Sequence, residues 1–351
     1  ELRSPFANNR SAESWGASSE SDKSEWQTIV YEETVKPDGF SGSTSDRFHE
    51  LIMGMLDGGE VLIDDVSVLE NGVGGIERIQ SGSFDGDALG STPAHWRIAG
   101  NHSGLVIPDP DNPGNQVLKL TATGGMEDRY NHAETTFADR ARIRDGVNYR
   151  ISYRAKWLGG SNQVHSRLFF DKLPNSVRVT RPETIGTPGR QNSIYAENIG
   201  PTLNALSHSP VLPAAGEAVT VSVRAEDPDE VQAVRLHYSV DDGRFNSIAM
   251  MPLSADEYMA IIPGQSSGDV VQFYVQAEDS RGSKSVFPAE GAASRALYQV
   301  PSQNARSGIH NFRIIMTPDD TSLLHNRTNV VSNGHLGATV VYNESEVFYD
   351  V

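Results

Sequence analysis

Short runs in which apolar and polar residues alternate follow one another along the chain, and Gly, Pro, Asn and Asp separate them. The alternation is clearest at residues 219–224, 234–240 and 271–275. A period of two residues is typical of a β-strand that buries one face. Long stretches with helical periodicity are nearly absent. The pattern therefore predicts an all-β protein built of tandem sandwiches rather than alternating strands and helices.

Breaks in this pattern divide the chain into five segments. A glycine-rich stretch, Gly72-Val-Gly-Gly75, marks the first boundary and predicts a flexible linker. The fourth segment alternates like an Ig-like or fibronectin-like sandwich, and the third is a linker by its composition. The predicted segments are residues 1–71, 72–182, 183–202, 203–302 and 303–351.

The last segment predicts a strand, a short helix and a hairpin, in that order. Residues 310–316 alternate like a strand. Thr317 is a favourable N-cap, Pro318 suits the first helical position, and Asp320 completes the spacing of a capping box. Two further strands then flank a predicted turn at residues 343–344.

The composition restricts the classes of partner. The 351 residues include 29 Lys and Arg against 46 Asp and Glu, which gives a formal net charge of −17. Nucleic acids and anionic membranes need a basic surface, so neither is an expected partner. No apolar run approaches the length of a membrane span, so membrane insertion is not expected either. The absence of cysteine is neutral with respect to compartment, because a sandwich with a sufficient core needs no disulfide.

Sequence motifs for common active sites are also absent. The chain has no His-Glu-x-x-His, no G-x-S-x-G elbow and no Walker loop. The sequence therefore predicts no catalytic residue, and its cofactor prediction is none, apart from a structural cation.

Two motifs in the last segment resemble a known family. Arg313-Ile-Ile-Met316 is followed by Asp320, and Val340-Val-Tyr-Asn343 is followed by Phe348-Tyr-Asp-Val351. This arrangement resembles the opening of the spore-coat protein H (CotH) kinase-like domain. The resemblance implies a truncated α+β start of that domain, before any residue that would hold nucleotide or metal. The chain itself is expected to be non-catalytic, within a parent that is a kinase-like enzyme or a matrix or surface component.

Two further motifs resemble carbohydrate-binding jelly rolls. Ile79-Gln-Ser-Gly-Ser-Phe-Asp-Gly86, followed by Trp96, resembles the opening of such a module, and Ile63-Asp-Asp-Val-Ser-Val68 resembles a closing strand. The resemblance implies that residues 1–71 end one jelly roll and residues 72–182 form a second. Such modules accompany CotH-like domains in large secreted bacterial proteins. The chain is accordingly expected to be an internal fragment of a secreted or cell-surface protein.

The jelly-roll resemblance also implies a structural calcium site. In modules with this closing motif, the first Asp often binds calcium together with the acidic residue of the opening strand. The corresponding residues are Asp64 and Asp85. They fall in different predicted modules, so each half-site would lack its complement. The alternative is that both are strand-end acids that bind backbone N–H groups or water.

A polysaccharide is the expected ligand of the second jelly roll. The segment 149–157 alternates, so Trp157 lies on the apolar face of its strand, and Arg154 and Lys156 lie on the other. The apolar face is most simply core, but Trp157 is near the strand end and could reach a cleft to stack on a sugar ring. Arg154 and Lys156, with Arg167 on a neighbouring strand, could hold hydroxyls or carboxylates. The alternative is a solvated charged face.

Three functional classes stay open at this point. The chain is a polysaccharide-binding region, a structural spacer that sets distance, or an accessory part of an enzyme whose catalytic residues lie beyond Val351. Binding to glycans would distinguish the first class, and activity that appears only in a longer chain would distinguish the third. The sequence makes no prediction of oligomeric state.

Overall fold

The computed structural model describes residues 24–36, 49–127, 130–169, 172–182, 189, 191, 195–302 and 310–351. The chain divides into two compact units. The first comprises Glu1–Tyr195 and Val331–His335, and the second comprises Ala196–Val330 and Leu336–Val351. In the described ranges no helix combines the length and the apolar character that a membrane crossing needs.

The first unit is a sandwich of two antiparallel sheets. Sheet I has the strand order β1-β9-β3-β7-β6, with β4 beside β3, and sheet II has the order β11-β10-β2-β8-β5. The strands are β1 (Gln27–Thr34), β2 (Glu50–Met55), β3 (Gly59–Glu70), β4 (Ile76–Glu77), β5 (Trp96–Ala99), β6 (His102–Pro108), β7 (Gln116–Ala122), β8 (His132–Thr136), β9 (Asn148–Gly160), β10 (Gln163–Leu168) and β11 (Lys172–Arg178).

The core of this sandwich is made by alternate residues of each strand. In β9, Tyr149, Tyr153 and Trp157 are at most 1% exposed and join one apolar cluster. Leu51 and Met53 of β2 enter the same cluster from sheet II. This alternation is the one predicted for residues 149–157, and the interpretation of its apolar face as core is confirmed.

The predicted boundary at residue 72 does not separate two sandwiches. β3 precedes that boundary, yet it pairs with β9 from Gly59 opposite Gly160 to Glu70 opposite Tyr149, and it pairs with β7 on its other edge. The stretch that predicted a linker is instead a tight turn, in which the Gly75 N–H donates to the Gly72 carbonyl oxygen at 2.9 Å. The described residues on both sides of this turn therefore form one module, which local sequence patterns could not show because its strand pairs are distant in sequence.

The second unit also contains a two-sheet sandwich. One sheet has the order β12-β13-β17-β16, and the other has the order β15-β14-β18-β19 with β20 beside β18. The predicted all-β architecture is thus confirmed. The strands are β12 (Thr202–Ser209), β13 (Val219–Glu226), β14 (Val231–Val240), β15 (Asn246–Ala249), β16 (Met251–Pro252), β17 (Glu257–Ile262), β18 (Val270–Asp279), β19 (Lys284–Phe287) and β20 (Leu297–Gln299).

The end of the second unit has the predicted local elements. They are β21 (Phe312–Ile315), α1 (Pro318–Leu324), β22 (Thr339–Tyr342) and β23 (Glu346–Phe348), and the three strands form a sheet in the order β21-β22-β23. The Thr317 side chain caps α1 by accepting a hydrogen bond from the Asp320 N–H at 3.2 Å. Asn343 and Glu344 both have positive φ, which a tight hairpin turn requires.

Candidate functional site

Trp157 lies inside the core of the first unit. Its side chain is 1% exposed, and its Nε1 donates to the Gly160 carbonyl oxygen at 3.1 Å. A ring that stacks on a sugar must present one face to solvent. The predicted sugar-binding role of Trp157 is therefore wrong for this structure, because residue 157 falls on the inward face of β9.

Arg154 and Lys156 lie on the outer face of sheet I, where both have acidic partners. The Arg154 guanidinium bonds to Asp64, lies 2.9 Å from the Asp65 carboxylate, and stacks 4.7 Å from the centre of the Trp26 ring. Lys156 is nearly fully buried and forms an ion pair with Asp111. These cations hold the fold together by ion pairs and do not form the open sugar-binding face that was predicted.

Arg167 lies on the other sheet. Its strand, β10, pairs with β2 and β11 in sheet II, whereas Arg154 and Lys156 belong to β9 in sheet I. The chain crosses from one sheet to the other between β9 and β10, so strands that are consecutive in sequence are not neighbours in a sheet. The structure therefore does not bring Arg167 together with the other two predicted residues.

The two predicted calcium ligands lie close to one end of β7 in a single module. Asp64 is 1% exposed, and its Oδ2 accepts a hydrogen bond from Asn115 Nδ2 at 3.0 Å. Asp85 is exposed, and its Oδ1 accepts from the Gln116 N–H at 3.1 Å. Their bonding partners are consecutive residues. The prediction that each half-site lacks its complement within its module is therefore overturned by the strand pairing.

The positive charge beside Asp64 is the Arg154 guanidinium. A calcium ion needs six to eight oxygen ligands. Within the described residues, no three or more acidic or histidine side chains are arranged to hold a metal ion. Arg154 instead contacts both Asp64 and Asp65. The counter-charge of Asp64 in this structure is therefore a guanidinium.

A different group of charged side chains occupies the outer face of sheet II. The inward residues of β2 and β8 include Leu51, Met53 and Ala133, so the intervening residues point outward. The outward set is mostly buried although it is polar and charged. We call it the sheet II cluster, and its members are Glu50, Arg97, His132, Glu134 and Arg167.

Glu134 is the centre of the sheet II cluster. Its Oε1 accepts from the Arg97 guanidinium, and its Oε2 lies 2.9 Å from His132 Nε2. The other ring nitrogen of His132 is 2.9 Å from the Glu127 carbonyl oxygen. Burial alone would raise the pKa of Glu134, but the hydrogen bond from His132 and the charge of Arg97 hold that pKa below its ordinary value.

Glu50 lies diagonally across from Glu134 on the neighbouring strand. Thr136 stands directly opposite Glu50 and donates to its Oε1 at 3.5 Å, and Ile52 stands opposite Glu134. Burial, and then the charge of Glu134, raise the pKa of Glu50 to about 7. The pKa values of these two carboxyl groups therefore shift in opposite directions, because burial dominates at Glu50, whereas hydrogen bonds from His132 and Arg97 stabilise the Glu134 carboxylate.

His102, at the start of β6 in sheet I, contacts β2 beside the cluster and has a structural role. Its Nε2 accepts from the Met55 N–H at 3.0 Å, and its Nδ1 lies 2.7 Å from Asn101 Oδ1. Burial lowers the pKa of His102 to about 4, which fits a neutral ring that accepts a backbone hydrogen bond. A Cβ at Gly54 would come within 2.9 Å of Nε2, so a glycine there makes room for this ring.

The cluster is open to solvent at one end. The Arg97 side chain is 55% exposed although it bonds to Glu134, and its guanidinium carbon lies 5.6 Å from the centre of the Tyr130 ring. Tyr130 is itself partly exposed. An exposed cation beside an exposed ring, supported by a buried acid, can bind a polar ligand. The alternation of His132, Ala133 and Glu134 in the sequence indicates a strand with one polar face. It does not reveal that β5 and β2 are the neighbours of this strand.

Comparison with known proteins gives little further information. No protein-family model and no curated protein matches the chain. Among solved structures, a bromine derivative of BhCBM56 is 19% identical over 26% of this chain and 88% of its own, with a TM-score of 0.19. A DUF4785 family protein from Legionella pneumophila is 11% identical over 75% of this chain and 64% of its own, also with a TM-score of 0.19. The chain thus spans less than two thirds of the second protein, and neither similarity defines a function.

Proposed function

We propose that the first unit binds a polysaccharide at the open end of the sheet II cluster. The observation that carries this proposal is the arrangement of Arg97, Glu134 and His132 beside the Tyr130 ring. The second unit then acts as a spacer. The parent is a secreted or cell-surface protein of the CotH kinase-like type, and this chain is its non-catalytic binding region.

The chemistry of the open end suits a sugar. Proteins hold pyranose rings by stacking an aromatic ring against their C–H face and by hydrogen bonds from polar side chains to hydroxyls. Tyr130 provides the ring, and Arg97 provides N–H donors in a fixed fork. Glu134 fixes that fork in place before the ligand arrives, and this lowers the entropy lost on binding.

The proposal that the parent protein is of the CotH kinase-like type is supported by the sequence motifs of the last segment. Arg313-Ile-Ile-Met316 and Phe348-Tyr-Asp-Val351 are the residues that resemble the CotH kinase-like domain. The strand, helix and hairpin of residues 312–348 are compatible with the opening of such a domain. Ig-like modules are common spacers, and the two-sheet sandwich of the second unit is compatible with that role.

The test compares two arginine variants of the full chain in pull-down assays on insoluble glycans. Arg97→Gln removes the exposed cation of the sheet II cluster. Arg150→Gln is the matched control, because Arg150 also pairs with a glutamate, Glu32, but on the outer face of sheet I. We expect Arg97→Gln and Tyr130→Ala to lose binding, and Arg150→Gln to retain it. If the wild type binds no glycan, or if both arginine variants bind equally well, the proposed site is wrong and the spacer function is preferred.

A further inference from the structure

The open end of the sheet II cluster carries no excess negative charge when Glu50 is protonated. The Arg97 guanidinium then pairs with the single negative charge of Glu134. Arg167 is a further cation on this face and has a partner of its own. Of these groups, Arg97 is the one whose side chain is largely exposed, so its guanidinium is presented where a ligand would arrive.

We propose, building on the proposed function, that this site selects a polysaccharide bearing carboxylate groups. The Arg97 fork is the primary contact, and the Glu50 carboxyl supports it in its protonated form. A guanidinium has five N–H donors, and two of its nitrogens, Nε and Nη2, are directed at Glu134. A carboxylate is the acceptor that matches the remaining fork geometry, and a charge-assisted bond is about twice as strong as a neutral one.

Glu50 makes this recognition dependent on pH. Below about 7 the Glu50 carboxyl is protonated, so it adds no negative charge to the site. Above that pH it becomes a carboxylate and repels a ligand carboxylate. Among the described residues, the titratable and charged groups nearest Glu50 are Glu134 and His132 from β8, Arg97 from β5 and Arg167 from β10. Binding of an acidic glycan should therefore weaken as the pH rises through about 7.

The chain has a formal net charge of −17, so attraction to an acidic polysaccharide has to come from the local contact with Arg97. A polyanion is repelled by the molecule as a whole, but at physiological salt this repulsion is screened beyond about 8 Å. Affinity for an acidic polymer must then come from a defined cationic site. A weak single site suffices on a polysaccharide, because repeated groups raise the effective concentration.

The experiment uses polygalacturonate and its methyl ester, two polymers with the same backbone that differ in carboxylate charge. We expect the full chain to bind the acid form about tenfold more tightly than the ester at pH 6, and to bind it about tenfold less tightly at pH 8 than at pH 6. Glu50→Gln, which resembles the protonated carboxyl, should bind the acid form more tightly than the wild type at pH 8. Arg97→Gln should lose the preference for the acid form.

Failure of carboxylate selection can be distinguished from failure of polysaccharide binding. Equal binding of the acid and the ester would overturn carboxylate selection and leave polysaccharide binding intact. Binding to neutral glycans alone would also overturn carboxylate selection only. Absence of binding to every glycan in the panel would overturn the proposed function itself. Far-UV circular dichroism of each variant shows whether it is folded, and the pH dependence of the wild type tests the role of Glu50 even if Glu50→Gln does not fold.

Discussion

Removal of the Arg154 charge should destabilise the first unit more than removal of a similar charge on the same strand. Arg154→Met removes the guanidinium that stacks on Trp26 and leaves Asp64, which is 1% exposed, without its cationic partner. Arg150→Met is the control. The Arg154 and Arg150 side chains are 31% and 32% exposed, but the partner of Arg150, Glu32, is 39% exposed. The two variants thus differ in the burial of the carboxylate left behind and in the loss of the Trp26 stacking contact.

The expected loss in free energy of unfolding follows from the burial of Asp64 compared with Glu32. Loss of one partner of a buried ion pair costs about 3–5 kcal/mol, because a charge stays buried without compensation. Arg154 is partly exposed, and Asn115 still donates to Asp64, so we expect a cost of about 2–3 kcal/mol. The Arg150→Met control should cost about 0–1 kcal/mol. The double variant Asp64→Asn with Arg154→Met should be less destabilised than the sum of the two single changes.

Tryptophan fluorescence during urea unfolding measures this unit selectively. All four tryptophans of the chain precede residue 196, and the three in the described ranges, Trp26, Trp96 and Trp157, lie in the first unit. The free energy of unfolding from this signal should fall for Arg154→Met and stay nearly constant for Arg150→Met. Equal effects of the two variants, or strict additivity in the double variant, would refute the view that Arg154 neutralises a buried acid.

Three further predictions concern other parts of the chain. Trp157→Ala should destabilise the first unit by about 3–5 kcal/mol in the same assay, because the ring fills the core; a small loss would show that it does not. Calcium or a chelator should leave the urea midpoint of the first unit unchanged, and a clear stabilisation by calcium would restore Asp64 and Asp85 as ligands. Burial lowers the pKa of His208 in the second unit, so the His208 side chain binds a proton more readily in the unfolded state than in the folded state. The stability of the second unit should therefore fall as the pH drops below about 6.5. This effect is measured by thermal unfolding at pH 7.5 and pH 5, monitored by circular dichroism, for the wild type and for His208→Gln. The same pH dependence in the variant and the wild type would contradict the prediction.

Local patterns predicted the local structure well. The cap at Thr317, the turn at residues 343–344 and the alternation of residues 149–157 each depend on neighbours within a few positions. Alternation also separated the two faces of β9 correctly. It could not decide whether Trp157 reached solvent at the strand end, because that depends on the strands packed over it.

Predictions that needed non-local information failed. The boundary at residue 72 was placed by the resemblance of the motifs on either side to two separate jelly rolls and by the glycine-rich stretch between them, but β3 finds its partners in β7 and β9, far along the chain. The sheet II cluster was missed for the same reason. Glu50, Arg97 and Glu134 lie on three strands that become neighbours only when sheet II is assembled. Each of these residues alone is an ordinary charged position on a strand.

The central place of β3 in sheet I has a consequence for how the chain is made. Its partner in β9 ends about 100 residues later, at Gly160 opposite Gly59. At about 5–20 residues per second of synthesis, one edge of β3 emerges and then waits roughly 5–20 s for its partner. During that time an apolar strand with open hydrogen-bonding edges must be kept from pairing with other chains. A chain shortened to end between β3 and β9 would keep that edge permanently unpaired, so any shortened chain that contains β3 must also contain β9.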